Sequence, residues 1–137
     1  MRICIVSDSH DRADPLLEAA RAALREGALA LVHCGDVIGA HTLRPLLELG
    51  LPVHVVHGNN VGDTFAMARL ATASSGLVDY HGIDADLPLG GRRVYVTHHP
   101  HVARGMACTG DYDLVCCGHT HAASTVQQAN IRGGSTW

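Results

Sequence analysis

With 137 residues, 47% of them hydrophobic and 17% charged, the chain is long enough for one domain with its own core and too short for two. Its formal charge is −3, and all ten cationic side chains are arginines scattered along the sequence, so there is no concentrated basic face for a long nucleic acid or an anionic membrane surface. No window approaches the roughly 18 apolar residues of a membrane span, and Met1-Arg2 runs directly into Ile3-Cys4-Ile5-Val6 without the pattern of a signal peptide.

Short apolar runs alternate with amphipathic stretches. Residues 2–6 read as a strand, followed by a helix near 14–27 in which Asp14 can cap, Pro15 fits the first turn and Leu16, Leu17, Ala20, Ala23 and Leu24 mark one face before Gly27. Residues 28–33 predict a second strand, Leu43 to Leu49 a short helix closed by Gly50, and residues 53–57 a third strand. Such a βαβαβ opening predicts a parallel sheet. A helix is expected from Thr64 to Ala73, a run at 77–80, and a hairpin from 83–89 and 92–97 around Gly90-Gly91. The segment 100–111 is left without an assignment, 114–117 predicts a strand, and Ser124 to Trp137 a polar, strand-like tail.

Five cysteines without C-x-x-C spacing (Cys4, Cys34, Cys108, Cys116 and Cys117) read as reduced and mostly buried, which fits a cytoplasmic protein. Eleven histidines are the unusual count. Many of them follow apolar runs, in Ser7-Asp8-Ser9-His10, His33-Cys34-Gly35-Asp36, His57-Gly58-Asn59-Asn60, Thr97-His98-His99 and Gly118-His119-Thr120-His121. Ligands of α/β sheets bind beyond the carboxyl ends of the strands, so these five clusters are expected on one rim. Their mixed nitrogen and oxygen donors suit zinc, manganese, iron or nickel better than calcium. Seven donors exceed the need of one tetrahedral ion, whereas two ions sharing one carboxylate would use them all.

In this order, Asp8-x-His10, Gly35-Asp36, Gly58-Asn59, His98 and Gly118-His119-x-His121 resemble the motifs of the calcineurin-like metallophosphoesterases, in particular their small bacterial and archaeal single-domain phosphodiesterases. The resemblance implies an α/β fold, a four-layer αββα β-sandwich flanked by helices, and a dinuclear centre. It assigns Asp8, His10 and His121 to one ion, Asn59, His98 and His119 to the other, and Asp36 to both. Manganese is the first expectation, with nickel, iron, cobalt or zinc as alternatives. A hydroxide activated between the ions would attack phosphorus in line, making the chain a metal-dependent phosphoesterase, foremost a phosphodiesterase, acting on a small phosphate ester.

Asp36, Asn60 and His99 are the expected catalytic positions. Many relatives carry a histidine where this chain has Asn60, and an amide cannot protonate a leaving group. Good leaving groups are therefore expected to be preferred over alkyl monoesters. Relatives also continue into an Asn-Pro-Gly turn and further strands, whereas this sequence stops at Trp137. The expectation is one domain over 1–137, either truncated there or completed by a neighbouring subunit, with an open sheet edge that invites a homodimer. The alternatives are a non-catalytic scaffold or protein-interaction module of the same fold, an amidohydrolase, disfavoured because Asp8-x-His10 replaces the usual His-x-His, and a nuclease, disfavoured by the dispersed arginines. Among the other side chains, His33, His54 and His57 are expected to be packed and hydrogen-bonded, His41 and His81 exposed, Asp11 to support the site or the helix start, and Arg12 to face solvent.

Overall fold

The computed structural model describes residues 1–127. In its first half, β1 (Cys4–Val6), β2 (Leu31–His33), β3 (Val53–Val55) and β4 (Val78–Tyr80) pair in that order, all parallel. They are connected through α1 (Ala13–Arg25), two short 3-10 helices (Ala40–Thr42 and Arg44–Leu49) and α2 (Thr64–Ala73). In the second half, β5 (Asp84–Leu89) and β6 (Arg92–Thr97) form an antiparallel hairpin, and β7 (Leu114–Cys116) returns through α3 (Pro100–Thr109) to lie parallel to β6.

Alternation along the strands divides the interior in two. Leu31, Val53, Val55 and Val78 point to the α1 and α2 side, where they pack with Leu16, Ala20, Leu43, Leu46, Met67 and Leu70. Val32, Cys34 and Val56 point the other way and meet Ala85, Leu87, Val94, Val96 and Cys116 between the sheets. The buried Ala103 of α3 belongs to neither core, and α3 packs on β6 and β7. The layers are thus helices, sheet, sheet and helix, the four-layer αββα sandwich.

Local departures from the sequence reading have local causes. Within the expected Leu43–Leu49 helix, Arg44–Leu49 winds as a 3-10 helix because it is only six residues long, has Pro45 in its first turn and ends at Gly50 with φ 63°, too short a run to offset α-helix nucleation. Asp14 does not cap α1: the N-cap position is Arg12, without a side-chain bond, and Asp14 sits one residue inside the first turn, where its charge complements the helix dipole. Asp63 does cap α2, accepting from the Ala66 N–H at 3.0 Å. The unassigned 100–111 segment is largely α3, started by Pro100 in its first turn and ended by Gly110 at φ 73°. Residues 124–127 carry no regular structure, and the rest of the expected strand-like tail lies outside the described residues.

Candidate metal centre

The carboxyl ends of β1, β2, β3, β6 and β7 open on one rim, and backbone hydrogen bonds hold the segments beyond them together. Asp8 N–H donates to Gly35 C=O at 3.0 Å, His10 N–H to Asp36 C=O at 2.9 Å and Gly118 N–H to His98 C=O at 3.2 Å. The chain turns sharply as it leaves the strands. Asp8, His10, Asp36, His119 and His121 all have positive φ, between 44° and 74°, a region that side-chain-bearing residues enter at a cost of about 1–3 kcal/mol each. Five of the seven expected donors therefore share the same backbone strain.

All seven expected donors meet there. His121 Nε2 lies 3.4 Å from Asp8 Oδ1, and His10 Nε2 lies 3.7 Å from the same oxygen. Asn59 Oδ1 lies 2.9 Å from both His98 Nε2 and His119 Nδ1, and these two nitrogens are 3.3 Å apart. Asp36, 2% exposed, stands between the groups: its Oδ2 is 3.4 Å from His10 Nε2 and its Oδ1 is 3.5 Å from His98 Nε2. Ligands held at about 2.1 Å by a tetrahedral ion are about 3.4 Å from one another.

Three observations test whether cations fit these residues. Asp8 Oδ1 and His10 Nε2 are buried and have no hydrogen-bond partner, a state that native proteins avoid. His98 Nδ1 lies 2.8 Å from the Cys34 carbonyl, which can only accept, so Nδ1 carries the hydrogen and the neutral ring presents a lone pair at Nε2. That lone pair faces three further acceptors, Asn59 Oδ1 at 2.9 Å, Asp36 Oδ1 at 3.5 Å and Asp8 Oδ1 at 4.0 Å. Acceptors converging on acceptors call for a positive charge between them, and the donor set fits divalent ions.

Close packing and hydrogen bonds hold this arrangement in place. A Cβ on Gly58 would lie 1.8 Å from Asp36 Oδ1, and one on Gly118 would lie 1.8 Å from Ser7 Oγ. Gly118 is thus needed for close approach; its φ is not in the left-handed region, which differs from the sharp turn a glycine suggests. Asn60 donates twice to Asp36, from its backbone N–H to Oδ1 at 2.9 Å and from its side-chain amide to Oδ2 at 2.6 Å. Burial pushes the Asp8 carboxyl up, but hydrogen bonds from Ser7 and the His119 N–H, together with His98 and His121, outweigh it and leave its pKa lowered. Ser7 and Gly58 act through proximity to residues far away along the chain, a role that the motifs around them do not reveal.

The remaining histidines divide. His33 is fully buried, with Nε2 3.0 Å from Ser9 Oγ, and burial lowers its pKa to about 4. His57 bonds the Tyr80 hydroxyl. Asp11 supports the neighbouring loop, accepting from Gly39 N–H at 2.7 Å and Thr42 Oγ1 at 3.1 Å, and His41 stays exposed beside it. His99 sits at the start of α3 with its ring 5.7 Å from that of His119, on the edge of the centre. His81 departs from expectation: it is half-buried and bonded to His54.

The family model described as the calcineurin-like phosphoesterase superfamily domain matches residues 1–136. Over 126 residues the chain is 25% identical to the phosphodiesterase MJ0936 of Methanocaldococcus jannaschii, an alignment covering 88% of this chain and 74% of the relative. Among solved structures, an archaeal phosphodiesterase superposes with a TM-score of 0.85 at 23% identity, covering 96% of this chain and 80% of that one. The phosphoesterase Yfce of E. coli gives a TM-score of 0.51 at 21% identity, covering 74% and 59%. These two likenesses speak to the fold.

Proposed function

Since the chain belongs to the calcineurin-like phosphoesterase superfamily, a family of divalent-metal-dependent phosphoester hydrolases, we propose that it is a phosphodiesterase of small phosphate diesters working at a dinuclear centre. Asp8, His10 and His121 would hold one ion, Asn59, His98 and His119 the other, and Asp36 both. The observation that carries the reading is the position of Asp36, whose two oxygens face separate donor groups at 3.4 and 3.5 Å. The similarity to a named phosphodiesterase supports the choice of diester.

Bound there, two divalent ions supply Lewis-acid stabilisation of phosphoryl charge and a lowered pKa for water. The chain's own residues do the rest. The Cys34 carbonyl fixes the His98 tautomer and leaves Nε2 free to ligate. Asn60 clamps both carboxylate oxygens of Asp36 and so holds the shared ligand in one orientation. It offers no ionisable proton to a departing alkoxide, so esters with acidic leaving groups are the better substrates. His99, whose ring lies 5.7 Å from that of His119, would hydrogen-bond a phosphate oxygen.

Manganese is the proposed ion and the cytoplasm the proposed compartment; among the described residues no helix is long and apolar enough to cross a membrane. A homodimer paired through an open sheet edge is proposed as the assembly, and a light-scattering mass of one chain at high concentration would remove it. The functional test is a screen of Mn, Ni, Co, Fe and Zn across aryl and alkyl mono- and diesters, with Asp36→Ala as control. Highest turnover on a bis-aryl phosphate, abolished in the variant, is expected. Full turnover by Asp36→Ala would end the assignment.

A further inference from the structure

A second group of donors, sharing no residue with the first, lies on β3, on β4 and just beyond the end of β4. Val53 and Val55 both point into the core under the helices, so His54 between them points to the opposite face. Asp79 is its registered cross-strand partner on β4. His81, two residues further on, shares the face of Asp79. His54 Nδ1 lies 3.2 Å from His81 Nε2 and 3.4 Å from Asp79 Oδ2, and the three atoms lie within 4.8 Å of one another.

We propose that His54, Asp79 and His81 form a separate mononuclear site for a divalent cation of the zinc class, which ties the edge strand β4 to β3. The separations are those of ligands around one small ion, about 3.4 Å apart for bonds of about 2.1 Å. Hydrogen bonding alone serves the cluster poorly. His54 Nδ1 carries either one hydrogen or one lone pair, and it faces an imidazole nitrogen and a carboxylate oxygen at once. A cation satisfies all three atoms together.

Access agrees with this. The two imidazoles are stacked with centroids 5.4 Å apart. Asp79 is 56% exposed and His54 14% exposed, so an ion can enter from solvent and water can complete its coordination. Two histidines and one carboxylate favour zinc, nickel or copper over calcium or magnesium.

The inference stands independently of the dinuclear centre, and the test separates the two. Wild type, His81→Ala and Asp79→Asn are dialysed against Zn2+ and the bound metal is counted by mass spectrometry, with Asp36→Ala in parallel. The two cluster variants are expected to hold one ion fewer per chain than the wild type. They should keep turnover on a bis-aryl phosphate within about twofold, whereas Asp36→Ala should lose turnover and keep the ion at the cluster. Asp79→Asn removes an exposed carboxylate that supports no core residue, so it remains informative should His81→Ala fold poorly. Equal zinc counts in wild type and Asp79→Asn would overturn the proposal. So would a Zn2+-induced rise in Tm that is the same in both.

Discussion

Replacing Gly58 by alanine tests the shared carboxylate without touching a proposed ligand. The added methyl would sit 1.8 Å from Asp36 Oδ1, 2.6 Å from Asp36 N and 2.7 Å from Asp36 Cγ, where ordinary contact begins near 3.4 Å. The carboxylate oxygen must therefore retreat by about 1.6 Å or the loop must open, and the backbone nitrogen leaves little choice. A metal–oxygen bond is only about 2.1 Å long, so such a shift removes Oδ1 as a ligand. Misplacement by 1 Å commonly costs about 10²-fold in rate, or about 2.7 kcal/mol, and overpacking adds about 1–3 kcal/mol of destabilisation. Gly58→Ala is expected to lower kcat/KM on a bis-aryl phosphate at least about 10²-fold and to weaken binding of one or both metal ions. Gly105→Ala is the control: it lies in α3 with nothing within 4 Å of the added Cβ, and should match or exceed wild-type stability by up to about 1 kcal/mol. A Gly58→Ala enzyme with unchanged turnover and unchanged metal content would refute the reasoning.

Asn60→His, which introduces an ionisable proton donor at the clamp, is expected to raise alkyl monoester turnover relative to diester turnover; a ratio unchanged within twofold would deny position 60 that influence on specificity. His121→Ala should remove one ion and leave the other, so metal analysis should fall from two equivalents to one at the centre, and loss of both would show that the two groups do not bind separately. The pKa of His33, lowered to about 4 from an ordinary 6.5, means that the fold favours its neutral form. Its contribution is fully present above pH 6.5 and is lost as the pH falls toward 4, amounting to about 3 kcal/mol. Urea unfolding of the metal-free protein should show this loss between pH 7 and 4, reduced in His33→Gln, and a flat wild-type profile would count against it.

Much of the fold could be read from period and punctuation. The three βα repeats announced a parallel sheet because short, mainly apolar runs, such as the one ending in the fully buried Leu31–His33, suit a sheet covered on both faces. The Gly90-Gly91 pair marked the β5–β6 hairpin because both glycines take positive φ. The α3 segment was harder, since Gly105 interrupts its apolar pattern and its stability comes from packing on β6 and β7. The donor residues were legible because chemistry restricts their types and strand ends restrict their positions. Their supports were not: the Asn60 clamp on Asp36, the Cys34 carbonyl behind His98 and the close approach of Asp36 to Gly58 are long-range facts. The His54–Asp79–His81 cluster was missed for a similar reason. His54 lies in β3 and His81 just past the end of β4, and only the β3–β4 register brings them together.

The bond from His119 N–H to Asp8 Oδ2, 3.0 Å long, joins residues 111 positions apart. Asp8 and His10 leave the ribosome long before His119 and His121, so a nascent chain can complete β1 to β4 while the pocket still lacks its last two imidazoles. Contacts of such separation also form late in refolding, because loop closure must precede them. A chain ended before residue 119 therefore lacks His119 and His121, two of the seven proposed donors, and holds no complete site.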